Sequence, residues 1–165
     1  MKKLGILIIL LTILLCGCSE PPSYETLGDL GMDEMEPSAR QICLELPENA
    51  SVQTMQGSTG KIYLCDGYEI MVETYRSGDL NQTLRNLTGF SKDSLTLVQT
   101  AQNGITSYSC AWASVGEAGE QIGRTTILDD GNFHYCLTVT AAAEDAYLLQ
   151  PVFEALFASF RLESA

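Results

Sequence analysis

The stretch FHYCLTVTAAAEDAYLLQPVFEALFASFRL, residues 133–162, decides the fold. Its first part, Phe133–Ala141, reads as a strand. Its second part, from about Asp145 to Phe160, sets Leu149, Val152, Phe153, Leu156, Phe157 and Phe160 in one wide apolar stripe at helical spacing. Six bulky side chains on one helix need a sheet to cover. Pro151 would break a helix interior, so it either opens the main helix or kinks a longer one.

Upstream, Gln121–Leu128 is the partner strand across Asp129-Asp130-Gly131-Asn132, and Leu95–Gln99 pairs with Ser107–Ser114 across Asn103-Gly104. Asn-Gly and Asp-Gly tolerate positive φ and favour hairpin turns. Gly116–Gly119 is a loop between the two hairpins. Before them, Asp79 is a helix N-cap with Gln82 three residues on, as in a capping box. Leu80, Leu84 and Leu87 share one helix face and Gly89 suits the C′ position, so a helix is expected over residues 80–88. Three strands precede it: Gln41–Leu46 with Ile42, Leu44 and Leu46 on one face, Lys61–Cys65 with Ile62 and Leu64 inward, and Tyr68–Tyr75 with Ile70 and Val72 on one face. Gly57–Gly60 and Asp66-Gly67 are turns. Three strands, a helix, four strands and a helix make an α+β fold: a central, mostly antiparallel sheet of about seven strands with helices packed on it. No internal repeat is present.

The N-terminus carries an address. Lys2 and Lys3 precede an apolar run from Leu4 to Leu15, a pattern of a signal peptide. A run of that length is too short to span a bilayer core as a helix, which needs roughly 20 residues. Leu15-Cys16-Gly17-Cys18 follows and resembles the bacterial lipobox. The resemblance implies cleavage between Gly17 and Cys18 and acylation of Cys18 with palmitate-type chains. Cys16 is excluded because Leu15 before it is too large for the peptidase. Residues 1–17 are then signal, and 18–38 are the lipidated cysteine and an acidic tether. Residues 19–38 hold six acidic residues, no basic ones, three prolines and two glycines, too little apolar surface to offset ordering entropy. Residues 39–165 form a single domain, held at the extracytoplasmic face of a membrane by its anchor, since two acyl chains make attachment stable.

The chain has 9 basic and 21 acidic residues. Loss of Lys2 and Lys3 with the leader takes the charge from −12 to about −14. Nucleic acid is excluded as a partner, because its phosphates need Lys and Arg. Of six cysteines, Cys43, Cys65, Cys110 and Cys136 remain in the body. An even number outside the cytoplasm reads as two disulfides. Strand phase pairs Cys43 with Cys65 and Cys110 with Cys136. No close ligand pair of the C-x-x-C kind supports a metal site, so no cofactor or metal is expected.

The order of elements and the ending HYCLTVTA…PVFEALFASFRL resemble the PsbP-like family over about residues 39–163. In that family a short strand ending in Pro, here Pro47, precedes a meander, and the chain closes with a hairpin strand, a helix and a Ser-Phe motif, here Ser159-Phe160. The resemblance implies an α/β/α sandwich and accessory work on a larger assembly rather than catalysis. It places no functional residue.

Catalytic motifs fail on their own chemistry. Ser58-Thr59-Gly60-Lys61 matches S-x-x-K but straddles a turn rather than a helix, without partner motifs. Read as a phosphate loop, the same stretch has Met55 for the first Gly and Ile62 for the magnesium hydroxyl. A Ser-His or Cys-His dyad would have to use His134, the single histidine, inside a strand. Asp129–Asn132 reads as a turn rather than a calcium loop, whose ligands spread further and end in Glu. Tyr63, Tyr68, Tyr75, Tyr108, Trp112 and Tyr135 are core aromatics, or binding aromatics if they line an exposed patch. The expectation is therefore a membrane-anchored lipoprotein, not an enzyme, that binds an envelope protein. The alternatives are an envelope hydrolase with a carboxylate pair and a small solute- or peptide-binding lipoprotein.

Overall fold

A computed structural model describes residues 36–54, 60–116 and 119–163. The signal segment, Gly17, Cys18, the tether up to residue 35 and the Ser58 turn lie outside the described residues. Seven strands form the main sheet in the order β2-β3-β4-β8-β7-β6-β5. They are β2 (Ser51–Thr54), β3 (Lys61–Cys65), β4 (Tyr68–Arg76), β5 (Val98–Gln102), β6 (Ile105–Gly116), β7 (Gly119–Asp129) and β8 (Phe133–Ala142), and every pairing is antiparallel. Helix α1 (Leu80–Thr88) and helix α2 (Ala146–Ser159) cover opposite faces.

Period-two alternation along β8 makes the two-sided core. Phe133, Tyr135, Leu137, Val139 and Ala141 join Phe153 and Leu156 of α2 on one face. Cys136 joins Leu84 and Leu87 of α1 on the other. Leu137 and Val139 are fully buried, and each such side chain contributes about 1.5–3 kcal/mol by leaving water. A central strand buried on both faces is what the apolar run in FHYCLTV encodes.

Helix α1 starts where the cap places it, with the Asn81 N–H donating to Asp79 Oδ1 at 2.9 Å, and ends at Gly89 with φ 79°. Gln82 does not close a capping box: its amide donates to Asn86 Oδ1 at 2.8 Å. Pro151 lies inside α2, which runs unbroken from Ala146. Its missing N–H removes the bond to the Tyr147 carbonyl.

Four expectations need correction. The first strand shrinks to β1 (Ile42–Cys43), which pairs with β9 (Arg161–Leu162) in a separate two-stranded ribbon. Its place in the main sheet is taken by β2, whose polar sequence SVQT gave no apolar alternation. On β3 the phase is reversed: Tyr63 and Cys65 pack on the α2-face core, not Ile62 and Leu64. Gly116 and Gly119 do not bound a loop between separate hairpins: they pair with each other as the last residues of the β6–β7 ladder, so β5 to β8 form one meander.

The expected disulfides fall with these corrections, and all four thiols are free. Cys43 sits in the ribbon, while β3 has only β2 and β4 as neighbours. Strand β7 separates Cys110 on β6 from Cys136 on β8. Two strand spacings set their Cα atoms about 10 Å or more apart, beyond the ~7 Å limit of a disulfide. Burial pushes both the Cys110 and Cys136 thiols up from their ordinary pKa, which leaves them protonated and unreactive.

Candidate functional site

A groove of about 780 Å³ opens between α2 and the β6–β7 part of the sheet. Its floor carries Ala111 and Ala113 from β6 and Ile122 and Arg124 from β7. Its wall is the α2 face with Tyr147, Gln150, Phe153 and Glu154. Small side chains at 111 and 113 create the space, because α2 does not reach across to fill them. Tyr147 is 84% exposed and Leu148 beside it 73% exposed, apolar surface that a soluble helix usually hides. The Arg124 guanidinium lies 4.5 Å from the centre of the Phe157 ring, a cation–π contact that fixes the charge on the floor. Gln150 donates to Glu154 Oε1 at 2.9 Å along the wall.

The opposite face is closed at the same level of the sheet. Trp112 packs with Phe90, ring centres 6.1 Å apart, and its indole N–H donates to Thr125 Oγ1 at 3.1 Å. Thr125 and Thr138 hydroxyls meet at 3.1 Å in the interior. Gly123, opposite Trp112 across the strands, gives the indole room: a Cβ there would stand 2.2 Å from the ring.

The six aromatics singled out in the sequence are divided between the faces. Tyr68 and Tyr135 are buried in the α2-face core and Tyr63 is half-buried against it. Tyr75, Tyr108 and Trp112 are half-buried against the α1-face core. Burial first, then a hydrogen bond with Cys65, pushes the Tyr68 phenol up to about 12. The exposed ring in the groove is Tyr147 instead. The signal that finds it is its place off the apolar stripe of α2, together with Leu148.

His134 is buried among hydroxyls. Thr83 Oγ1 on α1 is 2.9 Å from Nδ1, Ser77 Oγ is 3.4 Å from Nε2, and Asp129 is 3.7 Å from the same Nε2. Ser77 also donates to Asp129 Oδ1 at 3.1 Å. Serine and carboxylate approach one nitrogen, whereas general-base catalysis needs them on opposite nitrogens. The cluster ties α1 to β8.

The Asp129–Asn132 turn spends its carboxylates on itself. Asp129 Oδ1 accepts from Gly131 N–H at 2.8 Å, and Asp130 Oδ1 accepts from Asn132 and Phe133 N–H at 2.9 and 2.8 Å. Tyr135 donates to Asp130 Oδ2 at 2.9 Å and accepts from Arg40 N–H at 2.8 Å. Burial pushes the Asp130 carboxyl up, but these donors and the Arg40 charge outweigh it, and its pKa lies below the usual carboxylate range. Among the described residues, no group of three or more His, Cys, Asp or Glu side chains is placed to hold a metal ion. No helix among them is long and apolar enough to cross a membrane.

An antiparallel sheet between two helices, with a groove under one of them, defines an α+β protein with a PsbP-like sandwich. The solution structure of cyanobacterial PsbP (CyanoP) from Synechocystis sp. PCC 6803 has a TM-score of 0.56 and 12% identity, over 81% of this chain and 99% of that one. LpqN, involved in cell envelope biogenesis of Mycobacterium tuberculosis, has a TM-score of 0.53 and 10% identity, over 79% and 88%. A protein from Bacteroides thetaiotaomicron has a TM-score of 0.50 and 13% identity over 74% of this chain, which spans 45% of its length. These likenesses are of fold. No protein-family profile and no curated protein matches the sequence.

Proposed function

We propose that the chain is a lipid-anchored, extracytoplasmic accessory module that binds an envelope protein through the groove beside α2. The carrying observation is the groove itself: a floor of Ala111, Ala113 and Ile122 with one fixed cation, Arg124, beside an 84% exposed Tyr147, and no nucleophile and base paired among its lining residues. The lipobox Leu15–Cys18 supports the location. The shared fold with LpqN, whose role is in cell envelope biogenesis, supports the setting. The body does no chemistry on this reading; it holds a partner near the membrane at the end of its acidic tether.

The test has two arms. Replacement of Cys18 by Ser should leave the leader uncleaved, shift the protein's mass and change its membrane fractionation. A photocrosslinking residue at Tyr147, used in intact cells, should give a specific adduct with an envelope protein, and the same residue at the exposed Gln99 should not. Unchanged mass and fractionation would remove the anchor; equal labelling at both positions would remove the groove.

A further inference from the structure

The meander leaves part of β6 without a partner strand. Strand β5 pairs with β6 only from Gln102↔Ile105 to Val98↔Ser109, and β6 continues to Gly116. The β5–β6 turn is a two-residue hairpin with Asn103 at φ 52° and Gly104 at φ 76°, so Gln102 and Ile105 exchange backbone bonds. Hydrogen bonding alternates along an antiparallel strand. Odd-numbered β6 residues therefore bond toward β5 and even-numbered ones toward β7. Beyond Ser109 the N–H and C=O groups of Ala111, Ala113 and Val115 point to the sheet's edge, where no described strand pairs with them. Val115 is 79% exposed. The same three side chains face the α2 side, and Ala111 and Ala113 form the groove floor.

We infer that this edge takes up an extended peptide segment of a partner protein as an added strand, one that is net positive and apolar at alternate positions. This deepens the proposed function and rests on it. Unpaired backbone groups in a row specify a strand, because only an extended chain offers donors and acceptors at the matching spacing. Alternate side chains of that strand fall on the groove side, next to Ala111 and Ala113. Charge selects the sign. Glu120 lies opposite Val115 and Glu154 stands on the wall, while Arg124 is held over Phe157. The whole chain carries 21 acidic residues against 9 basic. The chain's own tether, with six acidic residues and no basic one in 19–38, is repelled from such a site, and so is the like-charged edge of a second copy.

The probe is a pair of labelled peptides about eight residues long, within the usual range of strand lengths: alternating Lys-Val and alternating Glu-Val. They are titrated by fluorescence anisotropy against the full chain purified from expressing cells in detergent. The Lys-Val peptide should bind saturably, and the Glu-Val peptide at least tenfold more weakly. Ala113→Pro removes one edge N–H and no bond to β7, so it should weaken binding roughly tenfold with the thermal midpoint nearly unchanged. Glu120→Lys should weaken it without any change in backbone, which keeps the test valid if the proline variant fails to fold. Equal binding of both peptides, binding indifferent to both variants, no binding, or a dimer in sedimentation that Ala113→Pro dissolves would each overturn the inference. A Tyr147 crosslink that survives Ala113→Pro in cells would leave the groove as a binding site and remove only strand addition.

Discussion

The two faces of one sheet end differently at the level of Trp112. On the α1 side the indole lies over Gly123, bonds to Thr125 and meets Phe90, so that face is closed. On the α2 side the neighbouring positions are Ala111 and Ala113, nothing lies over them, and a groove remains. The same pair of strands thus supplies a packed face and an open floor, and the difference lies in side-chain size and in where α2 stops. Function is expected on the face that packing left unfinished, and stability on the other.

Variants can break this contrast. Leu156→Ala in the closed part of the α2-face core, at 2% exposure, should cost about 3 kcal/mol in urea unfolding, whereas Leu148→Ala on the exposed side of α2 should stay within about 0.5 kcal/mol. Gly123→Ala should cost about 2 kcal/mol by driving the indole off the strand, with a red-shifted Trp112 emission as the second readout. Gly78→Ala, where an added Cβ meets nothing within 4 Å, should be near neutral. Thr83→Val leaves His134 Nδ1 buried without its partner and should cost about 1–2 kcal/mol, while crosslinking from Tyr147 is unaffected.

The smallest effect is one of pH. The Asp130 carboxyl is held below its ordinary value in the folded state. Its contribution is therefore present above the unfolded value of about 3.9 and is lost as pH falls through the lower folded value. Asp130→Asn should lower stability near neutrality and flatten the profile below about pH 4, where the two proteins converge. A profile with the same acid slope in both proteins would refute the role given to the turn.

Much of this architecture was legible in the residues. Asp79 and Gly89 bracket α1, Asn103-Gly104 makes its hairpin, and the α2 stripe demands a sheet. These are local signals that packing reinforces. What was not legible depends on distant partners. Strand β1 is short because it pairs with β9, 120 residues away at Ile42↔Leu162, and β2 is polar, so its pairing with β3 left no period in the sequence. The phase of β3 followed from its partner, since Tyr63 must share a face with Ile70. The disulfide assignment failed on strand neighbours that the sequence does not name: β1 left the main sheet, and β7 lies between Cys110 and Cys136. The groove was illegible because it consists of what is missing: two alanines on one strand gain meaning only once α2 is seen to stop short of them.

The open edge beside that groove is tested most directly by amide hydrogen exchange, resolved residue by residue in the free protein. The N–H groups of Ala111, Ala113 and Val115 should exchange fast, while those of Trp112 and Ser114, bonded to β7, stay protected. Uniform protection from residue 111 to 115 would mean that the edge is already covered, and the binding surface assigned to it would not exist.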